Sequence, residues 1–196
     1  MVSNRRIGAE DSKSRAALLD ATEQIMLEQG YAAVSSRRVA ERADLKPQLV
    51  HYYFRTMDDL FLAAFRRRAE SGLEHLERAL GSGQPLRALW AFGDDPTSTA
   101  LNMEFVALAN HRKSIRSEIA RYAELFRVRQ AEALAAVLEE QGVDTVRYPP
   151  IAVMTVMTSI AQILVLEESL GIAAGHAETR ALVTRLLDDY GRSAAP

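Results

Sequence analysis

Residues 30–61 hold apolar side chains in three short helical groups separated by two sharp breaks, and this spacing constrains the fold more than any other feature of the chain. Ser35 is placed to cap a short helix in which Val39, Ala40 and Ala43 share one face, and Ala40 is small enough for a second helix to cross closely. Asp44, Leu45 and Lys46 make the turn. Pro47 suits the first turn of the next helix, where its missing N–H would be unpaired in any case. Leu45, Val50 and Phe54 are expected to point inward, which leaves Lys46, Gln48, Leu49, His51, Tyr52 and Arg55 facing outward or sideways. Thr56 and Asp59 form a capping box that opens a third helix. A surface that mixes amide, hydroxyl, imidazole and cations suits a groove better than a core, and the whole has the layout of a DNA-reading helix-turn-helix.

Upstream, Ser14 to Gln29 reads as a helix with Leu18, Ala21, Ile25 and Met26 at three- and four-residue steps and Gly30 as its stop. Three helices can therefore share one small core, so the unit is a domain.

The residues Leu18-Leu19-Asp20-Ala21, the pair Gly30-Tyr31, Ser35 with Arg37, Val39-Ala40 with Arg42-Ala43, and Tyr53-Phe54 followed by Asp58-Asp59-Leu60-Phe61 resemble the tetracycline-repressor (TetR) family of transcriptional regulators. The resemblance covers roughly the first third of the chain; beyond residue 65 it implies only architecture. It implies an all-α protein of about nine helices. An N-terminal three-helix helix-turn-helix DNA-binding domain with its arm would occupy residues 1–56, and a larger helical ligand-binding and dimerisation domain residues 57–196. It implies homodimers whose body sets the spacing of two DNA-reading heads. Three positions depart from the family's pattern: Asp44 stands for a glycine in the turn, Lys46 for a serine or threonine cap, and Met57 for a phosphate-binding lysine.

The formal charge of −2 looks wrong for a DNA binder until it is divided. Residues 1–68 hold 12 Lys and Arg against 9 Asp and Glu, and residues 69–196 hold 12 against 17. A basic head on an acidic body agrees with a phosphate-facing role. With no cysteine, disulfides and thiolate metal sites are excluded. The first residues lack the apolar core of a signal peptide, and no apolar run reaches the roughly 18–20 residues of a membrane span, so a cytoplasmic protein is expected.

Further helices are expected over Met57–Leu80, a short stretch holding Leu86, Leu89, Trp90 and Phe92, Thr97–Lys113, Ser114–Gln141, Pro149 to about Leu170, and His176–Tyr190. The helix through residues 151–166 is apolar on nearly every side and must be covered on every side. One side faces its own body and the other a second subunit, through Ile151, Thr155, Ile163 and Leu166, with Leu182 and Leu186 from the last helix.

The candidate DNA-contacting residues are Ser35, Arg37, Lys46, Pro47, Gln48, Leu49, His51, Tyr52, Tyr53 and Arg55. Gln48 can pair with adenine and Leu49 can meet a thymine methyl, while Lys46, His51, Tyr53 and Arg55 suit phosphates. Arg5 and Arg6 are placed for an arm that reaches DNA. Candidates for a pliable ligand cavity are Trp90, Met103, Phe105, Asn110, His111, Tyr122, Phe126, Met154, Met157 and Thr158. The four histidines lie far apart, and no nucleophile elbow or phosphate loop is present, so no catalytic residue, metal or cofactor is expected. The reading is a regulator, most often a repressor in such families, that binds a palindromic double-stranded operator as a homodimer and is released by a small apolar or amphipathic effector. The alternative is a body that answers to a protein partner.

Overall fold

The computed structural model describes residues 13–81 and 84–191. Its regular elements are all helical: α1 (Lys13–Gln29), a one-turn 3-10 helix (Tyr31–Ala33), α2 (Ser36–Arg42), α3 (Pro47–Tyr53), α4 (Met57–Leu80), α5 (Pro85–Gly93), α6 (Pro96–Ala109), α7 (Lys113–Glu140), α8 (Pro150–Ser169) and α9 (His176–Gly191). The fold class is all-α with nine α-helices among the described residues. Arg5 and Arg6 lie outside those residues.

The chain divides into two compact units, and the division does not fall at residue 56. The first takes the chain up to Ala69 and rejoins it at Leu101–Ala120; the second holds Glu70–Ala100 and the chain from Arg121 onward. The reason lies in the core of the first unit. Leu60, Phe61, Ala64 and Phe65 on α4, Leu101, Phe105 and Leu108 on α6, and Ile115 on α7 are all buried, as are Leu18, Leu19, Ile25, Met26, Val39, Ala40 and Val50 from the first three helices. Phe105 meets Phe65 edge-on at 5.3 Å between ring centroids. Three short helices bury too little apolar surface alone, and α4, α6 and α7 complete them.

The second unit packs Leu76, Leu86, Leu89, Ala131, Leu134, Leu138, Met154, Val183 and Leu187 into one cluster drawn from α4, α5, α7, α8 and α9. Gly93 at the end of α5 allows a close approach to α8, since a Cβ there would stand 3.0 Å from that of Ala161. At one corner of this unit Arg180 joins Asp94 to Glu168, at 2.9 Å from the latter, and the buried His176 Nε2 lies 2.7 Å from Glu167.

Two features differ from the sequence pattern. The segment expected to be helical through Lys113 stops at Ala109, and Asn110–Arg112 form the turn into α7. The amides of Asn110, His111 and Arg112 bond three residues back, to Ala107, Leu108 and Ala109, which tightens the last turn without a glycine or proline to mark it. Secondly, α8 is long and apolar enough to cross a membrane by length and composition, with a mean hydropathy of 1.7 over its best window, contrary to the expectation that no such run exists. Thr155, Thr158, Ser159 and Gln162 interrupt the strict apolar run, yet Thr155 and Ser159 return their hydroxyls to the carbonyls of Ile151 and Thr155, so they add little polarity.

Candidate nucleic-acid interface

The reading module is built by local chemistry on each side of one turn. Ser35 sits in extended backbone at the head of α2, and its Oγ accepts the Arg38 amide at 3.4 Å. After α2, Asp44 adopts φ 52°, the one non-glycine residue with positive φ among those described. That conformation strains a side chain bearing Cβ, and aspartate tolerates it better than most. The turn is then closed by the Leu45 amide bonding to the Ala40 carbonyl at 2.9 Å. Lys46 occupies the cap position of α3 without a side-chain capping bond, and Pro47 starts the helix. Thr56 and Asp59 then cap α4 reciprocally, each amide donating to the other's side chain at 3.1 Å.

Within α3 the one buried residue is Val50, and Phe54 behind it is buried as well. Every other expected contact residue is open to solvent: Ser35, Arg37, Lys46, Pro47, Gln48, His51, Tyr52 and Arg55 are exposed, while Leu49 and Tyr53 are half-buried. Leu45, expected to point inward, is half-buried too. Tyr53 is held edge-on by Tyr52 at 5.0 Å and lies 6.3 Å from Phe54, so its ring is braced from both sides.

Other side chains in this unit have partners that the sequence does not signal. Arg42 makes a two-pronged bond to Glu28 on α1 at 2.8 and 2.6 Å. The hydrogen bond from Arg42 holds the Glu28 carboxyl below the usual carboxylate range, and the Arg42 pKa is raised in turn. Arg38 donates to Gln29 and to the Ala33 carbonyl. Both cations thus tie α2 to α1, in contrast to the open Arg37 one face away. On α4, Arg67 pairs with Asp20 at 2.7 Å and Glu23 at 2.8 Å; burial lowers its pKa and the two carboxylates outweigh that, so the net shift is upward. From α6, Glu104 accepts the Tyr31 amide at 2.7 Å. A pair 73 residues apart carries no periodicity to find.

The family described as "Bacterial regulatory proteins, tetR family" matches residues 18–64, which run from the core of α1 through the first turns of α4. This segment is similar to the tetR family over about a quarter of the chain. Solved structures of similar fold span the rest of it. A TetR transcription regulator from Haloarcula marismortui has a TM-score of 0.70 at 18% identity, covering 91% of this chain and 96% of its own. A transcriptional regulator from Saccharomonospora viridis, solved in complex with choline, gives 0.74 at 16% over 90% and 94%. The multidrug binding protein EbrR, complexed with imidazole, gives 0.56 at 26% over 90% and 96%. At such identities the first two establish fold alone. No curated protein matches the chain.

The residues expected to line a ligand cavity do not fall in one unit. Met103, Phe105, Asn110 and His111 belong to the first. Phe105 is 0% exposed against Phe65 and serves as core, while Met103, Asn110 and His111 are exposed. In the second unit, Tyr122 is buried with its hydroxyl donating to Glu70 at 3.0 Å, and Met154 is buried in the main cluster. Phe126 stacks obliquely on Phe92 at 5.4 Å beside Gly72; Trp90, Met157 and Thr158 are half-buried. Of the residues expected to meet a second subunit, Ile151, Ile163, Leu182 and Leu186 are exposed, and Thr155 and Leu166 half-buried. Among the described residues, no group of three or more His, Asp or Glu side chains is placed to hold a metal ion.

Proposed function

We propose that this chain is a cytoplasmic, sequence-specific repressor of the tetR family that binds a palindromic operator as a homodimer and leaves it when a small apolar or amphipathic molecule binds the body. The observation that carries the reading is the economy of α3, which gives Val50 to the core and leaves Gln48, His51, Tyr52 and the flanking Lys46 and Arg55 exposed. Gln48 reads an adenine edge and Leu49 a thymine methyl; Lys46, His51, Tyr53 and Arg55 fix the register on phosphates. Ser35 and Arg37 flank the same face from the start of α2.

Dimerisation is supported by the apolar side chains that α8 and α9 leave uncovered: Val156 is 58% exposed, Leu182 50% and Leu186 47%. A bilayer is a poorer cover, because α8 already buries Met154, Ala161, Leu164 and Val165 within its own chain and leaves one face to fill. Two heads about one helical turn apart, roughly 34–36 Å, read a palindrome with multiplied specificity. The choline-bound and imidazole-bound relatives support a small effector for this architecture. Its chemistry follows from the Trp90, Tyr122, Phe126, Met154 and Met157 side chains in the second unit.

The test is fluorescence anisotropy of the protein against DNA flanking its own gene, with random DNA as competitor, over a salt series. Gln48→Ala weakens binding to the flanking DNA selectively, whereas Lys46→Ala or Arg55→Ala weakens binding to both DNAs and lowers the salt slope by about one. Equal losses on both DNAs for all three variants would contradict the assigned roles.

A further inference from the structure

The whole reading module lies between Tyr31 and Asp58 in sequence, and both ends are held from α6 and the turn behind it. At the first end, Tyr31 opens the 3-10 helix that joins α1 to α2, and its N–H belongs to the set of donors that a helix start leaves without partners. Glu104 on α6 accepts that N–H at 2.7 Å. The Glu104 carboxylate also fills the space beside Gly30, its oxygens 3.5 and 3.9 Å from where a Cβ would stand. Gly30 has φ 80°, so the carboxylate seats against a backbone turn that only glycine makes without strain. At the other end, Arg112 in the α6–α7 turn pairs with Asp58 in the first turn of α4 and lies over the Phe61 ring at 5.7 Å. The distal ends of the clamp share one helix and its last turn, and Phe105 and Leu108 between them are fully buried.

We propose that Glu104 and Arg112 are positioning residues for DNA reading: together they clamp the two ends of the module. This rests on the DNA-binding reading above and adds two residues that align the reading helix. A charge-assisted bond to a backbone N–H is the stronger kind, and losing it leaves a half-buried donor without its partner.

The experiment compares the full chain with Glu104→Ala and Glu104→Gln. Two quantities are read: the hydrogen-exchange rate of the Tyr31 amide, and the ratio of affinities for DNA flanking the gene and for random DNA. Glu104→Ala accelerates Tyr31 exchange and lowers the affinity ratio, each by about tenfold. Glu104→Gln keeps an acceptor oxygen and restores most of both. Arg112→Gln lowers the ratio without changing Tyr31 exchange. A residue that merely stabilised the fold would reduce the active fraction on both DNAs alike and leave the ratio unchanged, and that result overturns the proposal. Unchanged Tyr31 exchange in Glu104→Ala overturns it as well. Should the unaltered chain show no preference between the DNAs, the DNA-binding reading fails and the positioning role fails with it. Accelerated Tyr31 exchange in Glu104→Ala would then mark a structural tie alone, which separates the two failures.

Discussion

Truncating Phe105 to alanine tests whether α6 is part of the DNA-binding unit or part of a ligand cavity. The ring is fully enclosed and meets Phe65 edge-on at 5.3 Å, so its removal loses transfer energy, packing contacts and an aromatic pair. Phe→Ala at closed sites costs about 3–5 kcal/mol, of which the aromatic pair supplies about 0.5–1.5. For a chain of this size that lowers Tm by roughly 6–20 °C. Thermal melts give the total. Native-state hydrogen exchange locates it, and the amides of Val39 and Val50 on α2 and α3 lose protection although neither residue is an α6 neighbour in sequence. A double-mutant cycle with Phe65→Ala returns a coupling of about 0.5–1.5 kcal/mol. Had Phe105 lined a cavity, one of the two readings its sequence left open, part of its ring would face empty space and truncation would forfeit fewer contacts. A loss below about 1 kcal/mol, additivity with Phe65→Ala, or exchange changes confined to α8 and α9 would refute the placement.

Asp44 gives a backbone test: Asp44→Ala costs about 1 kcal/mol because alanine has no side-chain oxygen to ease φ 52°, while Asp44→Gly keeps or raises stability in urea unfolding. Both variants remove the same charge, so the reverse order would mean the turn is not left-handed. In the capping box, Thr56→Ala costs about 1 kcal/mol, with the exchange change centred on the first turn of α4; a change spread evenly along α4 would argue against a local cap. The Glu168 carboxyl is held below its ordinary 4.5 chiefly by the hydrogen bond from Arg180. Its stabilisation is present above that value and lost as pH falls through the lowered one, so the stability gap between the unaltered chain and Arg180→Met narrows as the pH is taken below 4.5. A gap independent of pH would remove the ion pair as its source. On the uncovered apolar face, Leu186→Arg yields a folded monomer by light scattering, because the side chain is 47% exposed in the single chain; persistent dimers would move the interface elsewhere.

What the sequence revealed and what it hid divide along the range of the interactions. Ser35, Asp44, Pro47 and the Thr56–Asp59 box act within three or four residues of themselves, and each was legible as cap, turn or helix start. The exposure of Gln48 and Arg55 followed from the same periodicity that buried Val50. Arg42 with Glu28, Arg67 with Asp20 and Glu23, and Glu104 with the Tyr31 amide join residues 14 to 73 positions apart, and no local pattern distinguishes these charges from solvated ones. The compact units divide elsewhere than residue 56 for the same reason. A cut at residue 56 respects the motif, but Phe65 and Phe105 complete its core from beyond that cut. Phe105 stayed open between core and cavity in the sequence because an aromatic on an apolar helix suits both, and only its partner bears on the choice.

The shortness of α3 explains why those distant ties matter to function. A helix of seven residues has no stability of its own in water, since its few hydrogen bonds scarcely offset the nucleus. Its orientation is therefore borrowed from Val50, from Phe54, and from whatever holds the chain before α2 and after α3. Burying more of α3 would fix it better and take from it the side chains that a groove must meet. Leaving them exposed moves the task of alignment outward, to the 3-10 helix at Tyr31 and the cap of α4. Those are the two places where Glu104 and Arg112 arrive from α6. A base contact tolerates little displacement of its donor and acceptor, so small changes at these ends weigh more on reading sequence than on staying folded.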